Sequence, residues 1–146
     1  MQPNMIMTIL GGIAGTIAMT LMMHFLAPLM TGQPMDIAAR ISGMLGQSYM
    51  IGMAIHFMMG IIIFPVIYAL VVYQWVPGPG LLRGAIWGAV LWLGAITIVM
   101  PMAGAGFLMS EIGGVKAVIA ALMGHMVYGI LLGSIAGSNR SEQAPA

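Results

Sequence analysis

Four runs of the chain, about residues 5–30, 49–73, 81–102 and 115–137, contain no acidic residue and only Arg83 and Lys116 as basic ones. A helix of about 20 apolar residues crosses the hydrocarbon of a bilayer, and each run reaches that length. Backbone N–H and C=O groups in lipid must be paired within the segment, so the runs read as helices. Nothing in the remainder could clothe a water-facing domain: charged residues make up 5% of the chain, where soluble domains carry roughly 25%. The fold class that follows is all-α and integral to the membrane. It is an antiparallel four-transmembrane-helix bundle forming one domain over 1–137, with a short polar tail over 138–146. The first run has no basic flank before it and exceeds a signal-peptide core, so it is read as a retained span.

Composition removes several functions. With a net charge of +1 and no basic block, there is nothing to neutralise a row of phosphates, so no nucleic acid is expected. Cysteine is absent, which excludes thiolate metal sites and cysteine nucleophiles. The carboxylates Asp36, Glu111 and Glu142 all fall outside the spans. No hydrolytic triad or acid–base pair is therefore expected, nor carboxylate coupling to an ion gradient, and the chain is not read as an enzyme on its own. No Gly-rich turn carries the lysine of a phosphate-binding loop.

The connections alternate between two surfaces: side B, where the first span begins, and side A, where it ends. Residues 35–45 on side A suggest a short interfacial helix. Pro34 is suited to opening it, Asp36 and Arg40 are spaced as an i,i+4 pair, and Ile37, Ile41, Met44 and Leu45 share the other face. On side B, Gln74–Gly80 is a tight Pro/Gly turn, with Tyr73 and Trp75 as interface aromatics. The third connection, on side A, is glycine-rich, with Phe107 and Met109 as interface anchors. Basic residues tie, Arg40 and Lys116 against Arg83 and Arg140. The terminal amine leans both termini towards the cytoplasm.

Three histidines supply the only candidate chemistry inside the spans. His56 lies in the stripe Gly52–His56–Gly60, and His125 lies in a near copy, Ala121–His125–Gly129, 69 positions on. Gly12 and Gly84, Met30 and Met102, and Gly32 and Gly104 echo at an offset of 72, which admits a 2+2 parallel repeat. His24 ends a polar stripe, Gly12–Thr16–Thr20–His24, expected to point inward. It lies eight residues before Gly32, His56 eight after Ser48 and His125 nine after Lys116. At 1.5 Å per residue, all three sit about 12–14 Å below side A.

Two cofactors suit such a layer. In an up-down bundle the second and fourth helices are diagonal, so His56 and His125 could ligate one haem b iron. Gly52, Gly60 and Gly129 would then clear the porphyrin, and His24 would serve a propionate. Alternatively, His24, His56 and His125 with Met59 and Met126, among 18 methionines, could hold copper(I), for which imidazole and thioether are suitable ligands. The competing explanation is structural. Small-residue stripes let helices approach, and a buried histidine then hydrogen-bonds across the contact in a cofactor-free assembly subunit. The exposed small-residue faces suggest a homo-oligomer or a subunit of a larger membrane complex, surrounded by the lipid bilayer.

Together, Ala18-Met19-Thr20, Gly52-x-x-x-His56-Phe57-x-x-Gly60, Arg83-Gly84-Ala85-x-Trp87-Gly88, Pro101-x-x-Gly104-x-Gly106-Phe107 and Gly124-His125-x-x-Tyr128-Gly129-x-x-x-Gly133 resemble a family of small four-span bacterial membrane proteins known only as a domain of unknown function. The resemblance implies an α-helical protein of the bacterial inner membrane and implies no activity.

Overall fold

The computed structural model describes residues 3–137, which are helical with no strand among them. Four helices are long and apolar enough to cross a membrane: α1 (Met5–Thr31), α3 (Tyr49–Trp75), α4 (Gly80–Met102) and α5 (Val115–Gly137). A short helix, α2 (Ile37–Leu45), lies between the first two spans. The polar tail from Ser138 lies outside the described residues. Asn4 starts α1 by accepting the Ile6 and Met7 N–H groups at 3.0 and 3.3 Å, a side-chain cap for otherwise orphaned donors.

The central element is α5, flanked by α1 and α4. Its contact with α4 is backbone on backbone. A Cβ on Gly84 or Gly88 would strike the Gly129 or His125 carbonyl, and one on Gly129 or Gly133 would strike the Gly84 or Gly80 carbonyl. Small residues at such crossings allow the close van der Waals packing that holds helices together in lipid. Gly129, Gly133 and Gly137 are therefore spent inside the bundle, against α4. Nearer side B, Tyr68, Val72, Tyr73, Trp87, Tyr128, Leu132 and Ala136 form one core.

Each span except α5 contains a proline, and each adjusts its hydrogen bonding in the same way. Met22–Leu26, Met59–Ile63 and Ala95–Val99 are π turns, in which Ala27, Phe64 and Met100 donate to Met22, Met59 and Ala95. The donor in every case directly precedes the proline: Pro28, Pro65 or Pro101. The next carbonyl (Met23, Gly60 or Ile96) then meets a residue without an N–H. Two of these freed carbonyls hold the fold together. That of Met23 accepts the Met35 N–H at 3.0 Å, drawing residues 32–36 back over α1. That of Gly60 accepts the Tyr128 hydroxyl at 2.7 Å, joining α3 to α5. For Ile96 no partner from another element is present among the described residues.

Several local expectations change. α2 begins at Ile37, not at Pro34, because Asp36 caps it: Oδ1 accepts the Ala39 N–H at 3.0 Å. Its Oδ2 accepts the Tyr49 hydroxyl at 3.0 Å, and the i,i+4 pair with Arg40 does not form. Tyr73 is buried, not interfacial, because the Arg83 guanidinium lies 4.7 Å from its ring centroid. Arg83 is itself buried and donates through Nε to the Val76 carbonyl at 2.6 Å, tying down the turn on side B. Trp75 and Phe107 are exposed. Met109 is not an anchor: it packs inward against Ile96, Met100, Ala105, Ala117 and Ala121.

Candidate functional site

Two small cavities lie beneath α2 on side A. The first, about 30 Å³, is bounded by α1, α2 and α3 and is lined by His24, His56, Asp36, Met19, Met23, Met35 and Met53. The second, about 50 Å³, adjoins it on the α4 and α5 side. It shares Met19, Met23, Met35 and Asp36 and adds Met100, Met109, Ile96 and Arg40. Each has room for an ion or a few waters, since a single water needs roughly 10–15 Å³.

His56 reaches the first cavity from α3, held by a hydrogen-bond chain along α1. Thr16 Oγ1 donates to the Gly12 carbonyl and Thr20 Oγ1 to the Thr16 carbonyl, each at 2.7 Å. The His56 Nε2 then lies 3.0 Å from Thr20 Oγ1. The Thr20 proton is already committed to a carbonyl, so the hydroxyl accepts and Nε2 carries the hydrogen. In the neutral ring this leaves the Nδ1 lone pair free for a proton or a metal. The stripe Gly12–Thr16–Thr20 thus lines the α1–α3 contact and does not point to the bundle axis. Gly12 meets the Gly60 and Ile61 carbonyls, while its neighbours Gly11 and Gly15 meet Leu132 and Tyr128 of α5. His24 follows the stripe to the cavity rim and is exposed there, whereas Met23 and Ala27 beside it are buried.

His125 is organised separately. Its Nδ1 lies 2.7 Å from the Ala121 carbonyl of its own helix, so Nδ1 donates and Nε2 keeps the lone pair in the neutral ring. Neither cavity is lined by His125, nor by Met59 or Met126. The glycines expected to clear a porphyrin are already filled. A Cβ at Gly52 would strike the Ala38 carbonyl of α2, one at Gly60 would strike Thr16, and one at Gly129 would strike Gly84. A macrocycle needs a pocket of roughly 300 Å³ or more, and the residues around His56 and His125 do not fit one.

Sequence reasoning missed two features of the site. Asp36 falls in a connection outside the spans, yet it shares a cavity with His24 and His56. The cause is the Met35 N–H bond to the carbonyl freed by Pro28, helped by Gly32 at φ 82°, so the signal was a proline five residues after Met23. The other is the part of the thioether set that lies outside the histidine layer, Met19, Met35, Met100 and Met109. Met19 and Met23 are spaced i,i+4 on α1, and Met23 Sδ sits 3.4 Å from the position a Cβ would take on Gly124 of α5. Met109 is delivered by an unusual backbone: Leu108 and Met109 both have positive φ, 51° and 59°. For residues with a Cβ that conformation costs about 1–2 kcal/mol each. Among the described residues, no three His, Cys, Asp or Glu side chains come together to hold a metal.

The chain belongs to a family of unknown function, DUF6789, whose model matches residues 2–146. No curated protein matches it, and no solved structure does.

Proposed function

We propose that this integral membrane protein binds copper(I) in the cavity between α1, α2 and α3. The observation that carries the reading is that His24 and His56, from different spans, line one cavity with Met19, Met23 and Met53. Thioether and imidazole are the ligands a soft monovalent ion selects, whereas divalent zinc or manganese would call for more nitrogen, thiolate or carboxylate. His56 is suited to the role because its Nε2–H is anchored on Thr20. A second-sphere bond of this kind fixes the ring and keeps the other nitrogen available. The Asp36 carboxylate in the same wall offsets the charge of the ion. On this reading the protein sits in a bacterial inner membrane with both termini cytoplasmic, and the cavities lie towards the opposite face. It works there as a homo-oligomer or as a small subunit of a larger complex.

The test is copper content after purification in detergent and equilibration with a buffered copper(I) source. The first cavity should contribute one ion per chain, lost in His56→Ala and weakened in His24→Ala. A folded wild-type protein from which neither histidine variant removes any copper would overturn the reading. The cofactor-free alternative is favoured by the Thr20–His56 bond and by the glycine contacts of Gly52, Gly60 and Gly129, all of which hold helices together unaided. It expects the histidine variants to lose thermal stability and no metal.

A further inference from the structure

We propose that the larger cavity is a second copper(I) site, built from thioethers alone, which exchanges metal with the histidine cavity. Met19, Met23, Met35, Met100 and Met109 all line it. They come from α1, the connection before α2, α4 and the connection before α5, so no single amphipathic face explains their convergence. The inference rests on the copper reading for the identity of the ion and goes beyond it in location and ligand set.

Three further observations support it. First, the chain holds Leu108 and Met109 in left-handed backbone conformations without glycine, and Met109 ends 2% exposed against Met100. Strained backbone that survives in a fold is a pointer to function, and here it places one more sulfur in the wall. Second, the chemistry of the cavity is selective. Its charged groups are Asp36 and Arg40, one of each sign, and it has no imidazole. A hard divalent cation would find too few oxygen ligands, while a soft monovalent ion finds five methionines in the lining. Third, Met19, Met23 and Met35 belong to both cavities, and Met35 packs against the buried clusters of Met100 and Met109 on one side and of Met23 on the other. An ion can therefore pass from the second site to His56 by replacing one sulfur lone pair at a time. Copper stays in the +1 state, and no proton or electron moves.

Silver(I), a redox-inert ion of the same ligand preference, is the probe. Its binding to the full chain in detergent is measured by titration calorimetry and by metal analysis after desalting. Two ions per chain are expected for wild type. One is expected for M100L/M109L, and one for H24A/H56A. Leucine conserves side-chain volume, so the fold should persist; helicity by circular dichroism checks this, and M100L alone serves if the pair fails to fold. If the methionine variants retain the wild-type stoichiometry, the second site is overturned while the histidine reading stands. If H24A/H56A retains two ions and M100L/M109L loses one, the thioether site stands and the histidine reading falls.

Discussion

The two halves of the bundle are packed by opposite means. Towards side B, α4 and α5 meet through glycines whose backbones touch, and around them Tyr68, Tyr73, Trp87 and Tyr128 fill the space. Towards side A, flexible methionines line two cavities beneath the roof helix α2, while α4 and α5 stay joined by the Trp92 Nε1–H bond to the Val118 carbonyl at 3.0 Å. Glycine contacts bring rigid surfaces together and leave no slack, because the atom opposite is a carbonyl that cannot move aside. Methionine packs loosely, has three rotatable bonds and carries a sulfur that can do chemistry. The difference separates a half that holds the fold from a half that can change occupancy.

The contrast breaks most sharply at Gly84. Replacing it by alanine puts a methyl group into the Gly129 carbonyl. Overpacking of this kind costs about 1–3 kcal/mol and more where backbone must shift. The measurement is the midpoint of unfolding in mixed detergent, set beside Met100→Leu on side A. That volume-conserving change should cost less than about 1.5 kcal/mol. Equal losses would mean that the two halves are packed alike.

Next in size is Tyr128→Phe. It strips the donor from a Gly60 carbonyl that Pro65 has already left without an N–H. An unsatisfied buried acceptor costs about 1–3 kcal/mol. In a Pro65→Ala background the restored N–H at position 65 can serve that carbonyl, so the same tyrosine change should cost less. A double-mutant cycle on unfolding midpoints reads the coupling. Additive losses would show that the proline does not create the acceptor that the tyrosine fills.

The spans were legible because apolar length determines them: a run of about 20 or more residues with at most one charge has no other place to fold. The registers between spans were not, because they depend on which carbonyls lose their donors. Pro28, Pro65 and Pro101 stood in plain view, but their consequence appears only when the partners arrive from elsewhere, Met35 in one case and Tyr128 in another. The histidine stripes show the same limit. Spacing placed Gly52, His56 and Gly60 on one face, and that face proved to meet α1 and α2. The glycines there are contacts for Ala38 and Thr16 and not clearance for a ring. His24 and His56 do share a wall, but with Met19, Met23, Met35 and Asp36, whereas Met59 and Met126, nearer in sequence to His56 and His125, line neither cavity. Met109 was the least legible of all, since its inward turn needs two left-handed residues that no local pattern announces.

The smallest expected effect tests whether the roof over the cavities is held independently of the bundle. Asp36 caps α2 with one oxygen and accepts from Tyr49, at the start of α3, with the other. The second bond is the one polar side-chain tie between α2 and α3 among the described residues, and it is exposed. Tyr49→Phe removes it without touching the cap or the Gly52–Ala38 contact that seats α2 on α3. The unfolding midpoint should therefore stay within error of wild type, since exposed bonds of this kind contribute little to global stability. Hydrogen exchange should still speed up in α2, while amides in α5 stay protected, because local opening draws on local contacts. Faster exchange in α5 as well would show that the roof and the glycine-packed half open together as one unit.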